Sequence, residues 1–312
     1  MASTIRPRLF ITQQMPSQFI HALERVFELD YQDTPTPLSP EQILFRIRAH
    51  PPDAILFTSK IKIDKELLSV VGDKLKMLAT FSVGYDHIDV KECQKRGIPI
   101  GYTPGVLTDA TADLAMALLL ATARRITQAV RAVRNGEWGT SCDVMWMCGK
   151  PLTNATVGIV GLGRIGLAIA RRLQPFSIQR ALYSELLGES DFVIIACELN
   201  EHTKNMFNKN AFEQMKNDAI LINIARGGII DQDALYDALT NGFIGAAGLD
   251  VTVPEPLPKE HRLLTLENCT IFPHIGSADV SARHQMAQIC VDNLFNFFSG
   301  KPMVHQLKLG DA

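Results

Sequence analysis

The sequence lacks several features that would assign it to common classes. Its six cysteines (Cys93, Cys142, Cys148, Cys197, Cys269 and Cys290) form no C-x-x-C pair and no zinc-like spacing. That excludes a thiol redox motif and a cysteine zinc site, and it predicts reduced thiols in a cytosolic protein with no metal. There is no long apolar run: "LAMALLLATA" at 114–123 is half the ~20 residues needed to span a bilayer. Asp109 and Asp113 precede this stretch and Arg124 and Arg125 follow it. That charge order suits a helix macrodipole and predicts a buried helix. The N-terminal "MASTIRPRLFIT" lacks the apolar core of a signal peptide. Charge of one sign is not in excess either: the formal net charge is −2. No basic face for nucleic acid or an anionic membrane is expected. What remains is 312 residues with 46% hydrophobic content, enough for two cores in a soluble protein.

The apolar residues have a rhythm. "RLFIT", a helical pattern over 16–28, "AILFTS", a helix over 64–72, "LKMLATFS", a helix over 86–96 and "IPIGY" alternate in order. A second series starts at "ATVGIVGLGRIG" (155–166) and continues through "DFVIIAC", "AILINIARG", "IGAAGLDV" and "CTIFPHIG". Strand–helix alternation of this kind predicts parallel βαβ units. The fold class is therefore α/β, with two Rossmann-like or flavodoxin-like parallel-sheet domains. The helix over 109–125 is the crossing between them, and a long amphipathic helix over 279–299 closes the chain. "DTPTPLSP" (33–40) reads as a loop, with Ser39 capping a helix that starts at Pro40.

Within the second series Gly161, Gly163 and Gly166 spell G-x-G-x-x-G, directly after a strand and directly before a helix. Gly161 permits a tight turn, Gly163 admits a pyrophosphate to the backbone, and Gly166 lets helix and strand pack closely. The phosphates would then meet free N–H groups at the helix N-terminus.

Three polar residues follow at the ends of later strands: Arg226 in "LINIARGG", Glu255 in "DVTVPEPLP" and His274 in "FPHIGS". Singly, each reads as an ordinary strand cap or loop residue. Together, on one edge of an open α/β sheet, they suit hydride transfer to a 2-keto acid. A carboxylate with an adjacent carbonyl wants the planar, always-charged fork of Arg. The carbonyl oxygen becomes an alkoxide and needs a proton, which a His supplies. A carboxylate beside that His favours its protonated form and fixes its orientation. In "TFSVGYDHID" (80–89), the N–H groups of Val83 and Gly84 would hold a substrate carboxylate from a turn.

These segments, with "GYTPGVLTDATADLAMALLL", "INIARGGIIDQDALYDAL" and "NCTIFPHIGSA", resemble the D-isomer-specific 2-hydroxyacid dehydrogenases. Within that family they are similar to the animal glyoxylate/hydroxypyruvate reductases, over about Arg8 to Leu309. Formate dehydrogenases, by contrast, carry Gln where Glu255 stands. The resemblance implies Arg226 as substrate-binding arginine, His274 as acid/base and substrate contact, and Glu255 as its partner. It implies cofactor contacts from Gly161, Gly163, Arg164, Ile165, Gly166, Ile224, Asp250 (near the nicotinamide amide) and Gly276. The cofactor would be NADP, with NAD as the alternative. It also implies a substrate domain of 1–103 with 287–312, a dinucleotide-binding domain of 104–286, and a homodimer built on the helix over 109–125 and the Trp138/Trp146 loop.

One stretch departs from the family. Between "ALYS" and "DFVII" lie six residues, where relatives have a loop, a helix and a third strand, about twenty residues more. A parallel crossover ordinarily takes a dozen residues or more. Seven Cα steps reach at most ~25 Å, and returning down one strand while skipping a neighbour takes ~20–22 Å. The link closes only if nearly extended; a helix there falls short. The predicted outcome is a shortened sheet edge, with the second strand frayed or the edge rebuilt. Ser184 remains as a contact for the adenosine ribose or its phosphate. Glu185, 19 residues after Gly166, is the rival ribose ligand. Two readings stay open: a reductase with a weakened cofactor site, and a non-enzymatic NAD(P)-binding scaffold or impaired shortened isoform.

Overall fold

Continuous apolar runs make the inner strands here, because a parallel strand is covered on both faces and has no solvent side to pattern. A computed structural model of the chain describes residues 6–182 and 186–308. It divides into two units, 1–106 with 279–312, and 107–278. The divisions fall at 106/107 and 278/279, three residues after the 103/104 and eight before the 286/287 read from sequence, the latter lying inside the helix Val280–Phe298.

The first unit holds β1 (Arg8–Ile11), β2 (Glu28–Tyr31), β3 (Ala54–Phe57), β4 (Met77–Thr80) and β5 (Ile100–Gly101). All are parallel, in the order β2-β1-β3-β4-β5. Strand β2 corrects the sequence reading, which ran a helix through to 28. The helix is Ser17–Glu24, and "ELDY" is an edge strand. Its Asp30 faces Arg8 and Arg46, so the apolar pattern of an inner strand is absent. Ser39 caps the helix Pro40–Ala49 as expected, in a capping box with Gln42. The closing helix, Val280–Phe298, buries Ala287, Cys290, Val291 and Leu294 against this unit's sheet.

The second unit holds β6 (Thr156–Val160), β7 (Arg180–Leu182), β8 (Phe192–Ile195), β9 (Ile220–Asn223), β10 (Ala246–Leu249) and β11 (Cys269–Ile271). All six are parallel, in the order β11-β10-β9-β8-β6-β7. Alternate residues of β8 serve opposite faces. Phe192 and Ile194 join the cluster around Leu118 and Ile169, while Val193 and Ile195 join that around Phe212 and Leu235. The chain leaves β6 toward β7 on one side and resumes at β8 on the other. This is the topological switch point at which open α/β sheets bind ligands.

In the doubly wound order 3-2-1-4-5-6, β7 holds the second place and β8 the fourth. Among the described residues no strand holds the third place. Residues 186–190 of the link form a turn and no helix. The link lies on β6 at Gly158, where a Cβ would sit 2.2 Å from Leu186 Cδ2 and 2.6 Å from Ser190 Oγ. A glycine inside a strand marks such a close approach. Ser184 and Glu185 lie outside the described residues.

Where the chain re-enters the sheet, Asp191 fastens it. Its carboxylate accepts from Thr156 N at 2.8 Å and pairs with Lys216 at 3.0 Å and Lys150 at 3.4 Å. The first unit uses the same device: Asp53, just before β3, accepts from Arg8 N at 2.8 Å and pairs with Lys76 at 2.9 Å.

Candidate active site

The glycine turn comes first along the second unit's sheet edge. Gly161 has φ +99°, and a Cβ there would lie 2.7 Å from Cys197 Cα, just beyond β8 across the switch point. Glycine is required on both counts. A Cβ at Gly166 would meet Gly161 O at 2.0 Å, so the helix start packs directly onto the turn. Gly163 is different: nothing lies within 4 Å of its Cβ position. Helix Arg164–Leu173 starts there with no capping side chain among the described residues and no acid in its first turn. Its first N–H groups, Arg164 and Ile165 included, are thus left to an anion. A pyrophosphate fits this open, uncapped N-terminus.

Arg226 is set by Asn223, the fully buried last residue of β9. Asn223 Oδ1 accepts from Ala225 N at 3.0 Å, and its amide donates to Arg226 O at 2.9 Å. A side-chain amide bonding two residues on is a turn-forming device. Ile224 is buried within the same turn. Gly227 brings this turn against the next loop, since a Cβ there would be 2.3 Å from Thr252 C and O. That loop carries Glu255. Gln232 clamps it by accepting from Val253 N at 2.8 Å and donating to Val253 O at 2.5 Å.

Glu255 and His274 meet. The carboxylate accepts from Thr252 N at 3.0 Å through Oε1 and lies 2.6 Å from His274 Nδ1 through Oε2. Burial alone would push the Glu255 carboxyl up. The His274 hydrogen bond and charge, the Thr252 N–H and the Arg226 charge outweigh it and hold the group below the usual carboxylate range. An ionised carboxylate only accepts, so Nδ1 of His274 is the donor and Nε2 is left for other chemistry.

Asp250, at the end of β10, is buried, and both its oxygens are engaged. Oδ1 accepts from Ile275 N and Oδ2 from Gly276 N, each at 2.8 Å. Burial pushes its pKa above the ordinary value despite these bonds.

Arg226, Asp250, Glu255 and His274 thus follow three neighbouring strands, β9, β10 and β11, on one edge, and the Arg226 charge reaches Glu255. Val83 and Gly84 belong to the other unit, in the bend after β4, where Ser82 Oγ donates to Gly84 O at 2.8 Å. Among the described residues no group of His, Cys, Asp and Glu has metal-site geometry, and no helix is long and apolar enough to cross a membrane. The sequence reading missed Asn223, Gly227 and Gln232. The doubled glycine after Arg226 was a signal for the second; the others look like ordinary polar residues.

The family described as D-isomer specific 2-hydroxyacid dehydrogenase, NAD binding domain, matches residues 116–185 and 179–276. The "Glyoxylate reductase/hydroxypyruvate reductase" of Homo sapiens is 45% identical, over 97% of this chain and 98% of the relative. The chain belongs to this family. As a D-2-hydroxyacid dehydrogenase of NAD(P)-dependent type, it also shares its fold with solved structures. The TT0316 protein from Thermus thermophilus has a TM-score of 0.87 at 36% identity, covering 96% of this chain and all of the other. An NADPH-dependent glyoxylate/hydroxypyruvate reductase from Sinorhizobium meliloti, in complex with NADP and malonate, has a TM-score of 0.80 at 32% identity, with 97% of each chain covered. A nicotinamide dinucleotide is therefore this dehydrogenase's cofactor. The two family matches meet at 179–185, where its link is short. The human alignment runs over 325 positions but uses 97% of 312 residues, about 303. About 22 positions (325 less 303) thus have no residue here, in agreement with a shortened third-strand region.

Proposed function

We propose that this dehydrogenase reduces glyoxylate and hydroxypyruvate to the corresponding 2-hydroxy acids. The observation that carries the reading is the 2.6 Å His274–Glu255 contact beside Arg226, on the sheet edge that also bears the glycine turn. In this reading residues 107–278 form the dinucleotide-binding domain, and 1–106 with 279–312 the substrate domain. Arg226 holds the substrate carboxylate, and the N–H groups of Val83 and Gly84 are the substrate contacts of the first unit. The bound nicotinamide supplies the hydride. His274 Nε2 delivers the proton to the carbonyl oxygen as it becomes an alkoxide, and Glu255 holds the imidazole and balances its charge. Gly161, Gly163, Arg164, Ile165 and Gly166 hold the pyrophosphate; Ile224, Asp250 and Gly276 line the nicotinamide end.

NADP is the preferred nucleotide in this reading, with NAD as the alternative, and Ser184 its adenosine-side contact. The molecule is a cytoplasmic homodimer. The apolar side chains of Ile126, Val130, Val133, Trp138, Val144 and Met145 stand exposed on one stretch of the second unit, and all six thiols are free. The shortened link favours a second reading, a nucleotide-binding scaffold without turnover. Calorimetric titration with NADPH and then NADH, followed by nucleotide oxidation with glyoxylate or hydroxypyruvate, separates the two. Micromolar binding with turnover supports the reductase. Binding without turnover supports the scaffold, and no binding removes both.

A further inference from the structure

Helix Thr108–Ala123 contains two buried threonines whose hydroxyls do different things. Thr122 Oγ1 donates to Leu118 O at 2.8 Å, the local i−4 bond a helical threonine ordinarily makes. Thr111 Oγ1 instead donates out of the helix, to Gly276 O at 3.1 Å. That carbonyl ends the segment carrying His274, whose backbone sits in the left-handed region at φ +56°. A non-glycine residue stays there only when its surroundings over-determine it.

The surroundings are a two-sided clasp. Asp250 takes the N–H groups of Ile275 and Gly276, and Thr111 takes the carbonyl of Gly276. The fit is close: a Cβ on Gly276 would lie 3.2 Å from Asp250 Oδ2 and 3.4 Å from Thr111 Cγ2. Glu255 holds the imidazole at Nδ1, but a contact at one ring atom leaves the backbone beneath the ring to be fixed otherwise.

We infer that Thr111 is a positioning residue for proton delivery. By anchoring Gly276 O it holds the His274 backbone at the height from which Nε2 meets the substrate oxygen. The inference rests on the reductase reading for its kinetic arm alone.

Thr111→Val keeps the shape and removes the donor. It should lower kcat about tenfold, the effect of losing one buried hydrogen bond, with KM for keto acid and nucleotide unchanged within about twofold. The solvent isotope effect on kcat should rise, because proton delivery becomes slower relative to other steps. Thr111→Ser should restore kcat. Thr122→Val, which loses a buried hydroxyl from the same helix, should leave kcat and the isotope effect as they were. Amide exchange read by mass spectrometry or NMR should be about tenfold faster at Ile275 and Gly276 in Thr111→Val, and not in Thr122→Val. If Thr111→Val does not fold, Thr111→Ala against Thr111→Ser reads the same hydroxyl. An unchanged kcat, or an equal loss in Thr122→Val, overturns the role. Should the wild-type chain not turn over at all, the reductase reading falls, and the exchange arm still decides the clasp: unchanged exchange at 275 and 276 overturns it.

Discussion

Asp191→Asn tests how the shortened link is fastened where it rejoins the sheet. Asparagine keeps an oxygen to accept from Thr156 N but loses the charge that faces Lys216 and Lys150. The side chains are partly shielded, with 21% of Asp191, 37% of Lys216 and 19% of Lys150 exposed. Exposed pairs give 0–1 kcal/mol and charged hydrogen bonds more, so with Lys216 discounted for screening the two contacts sum to about 1.5 kcal/mol. For a unit of this size that is a fall in Tm of about 3–6 °C. The pH dependence adds a sign. Burial alone would raise the Asp191 carboxyl, but the Thr156 N–H, Lys216 and Lys150 outweigh it and depress it. An acid depressed in the folded state contributes stability above its unfolded pKa of ~3.9, and loses it as pH falls through the lower folded value. Urea denaturation of both proteins at pH 7, 6 and 5 should therefore show one constant difference, shrinking only in stronger acid. Equal stability at pH 7, or a gap that closes between pH 7 and 5, would refute the reasoning. A cycle with Lys216→Met should show the two losses to be non-additive.

His274→Asn should lower kcat by about 10³-fold or more while the NADPH Kd, read by calorimetry, stays within about twofold; retained turnover removes His274 from the chemistry. Arg226→Gln should raise KM for the keto acid on the order of 100-fold and lower kcat, since a charged bidentate contact is lost. Unchanged steady-state kinetics would end its substrate role. Inserting a family-length third-strand segment after Ser184 should tighten nucleotide binding by about 10–100-fold, the contribution of one or two ribose hydrogen bonds. An equal Kd would show that the short link holds the adenosine half as well as a full crossover.

The inner strands were legible because a parallel strand buried on both faces is written as an unbroken apolar run, as in "AILF" and "FVII". The glycine turn was legible because its three glycines keep the G-x-G-x-x-G spacing between a strand and a helix. Gly161 and Gly166 answer steric demands, while Gly163 leaves its surroundings open. Edge strand β2 was not: "ELDY" satisfies its charges with Arg8 and Arg46 rather than with apolar neighbours, and nothing in that local pattern spells a strand. The clasp under His274 was hidden for another reason. Thr111 and Thr122 are alike in sequence context, and only the fold brings Gly276, 165 residues away, to one of them. The short link was the most informative local anomaly. Its length alone excluded a helix, while its lie on β6 at Gly158 emerged only from the structure.

The strand order explains how a short crossover is compatible with the proposed proton delivery at His274. Strand β7, where the loss falls, and β11, which leads to His274, are opposite ends of one six-stranded sheet. Five spacings of ~4.8 Å put them about 24 Å apart. Between them stands the switch point, where Gly161 and Cys197 touch across β6 and β8. The hydrogen bonds that set the turns from Asn223 to Gly276 run among the ends of β9, β10 and β11 and helix Thr108–Ala123. The described part of the link reaches that side through Leu186 and Leu187, which pack on its apolar cluster. The link also meets the sheet at Gly158, midway along β6, and is fastened at Asp191, just before β8. Defects in the link should therefore appear in nucleotide affinity and unit stability. Defects in the clasp should appear in kcat. A variant of the link that lowered kcat at saturating nucleotide would mean that the two ends are coupled through the sheet, and the division of labour drawn from the strand order would be wrong.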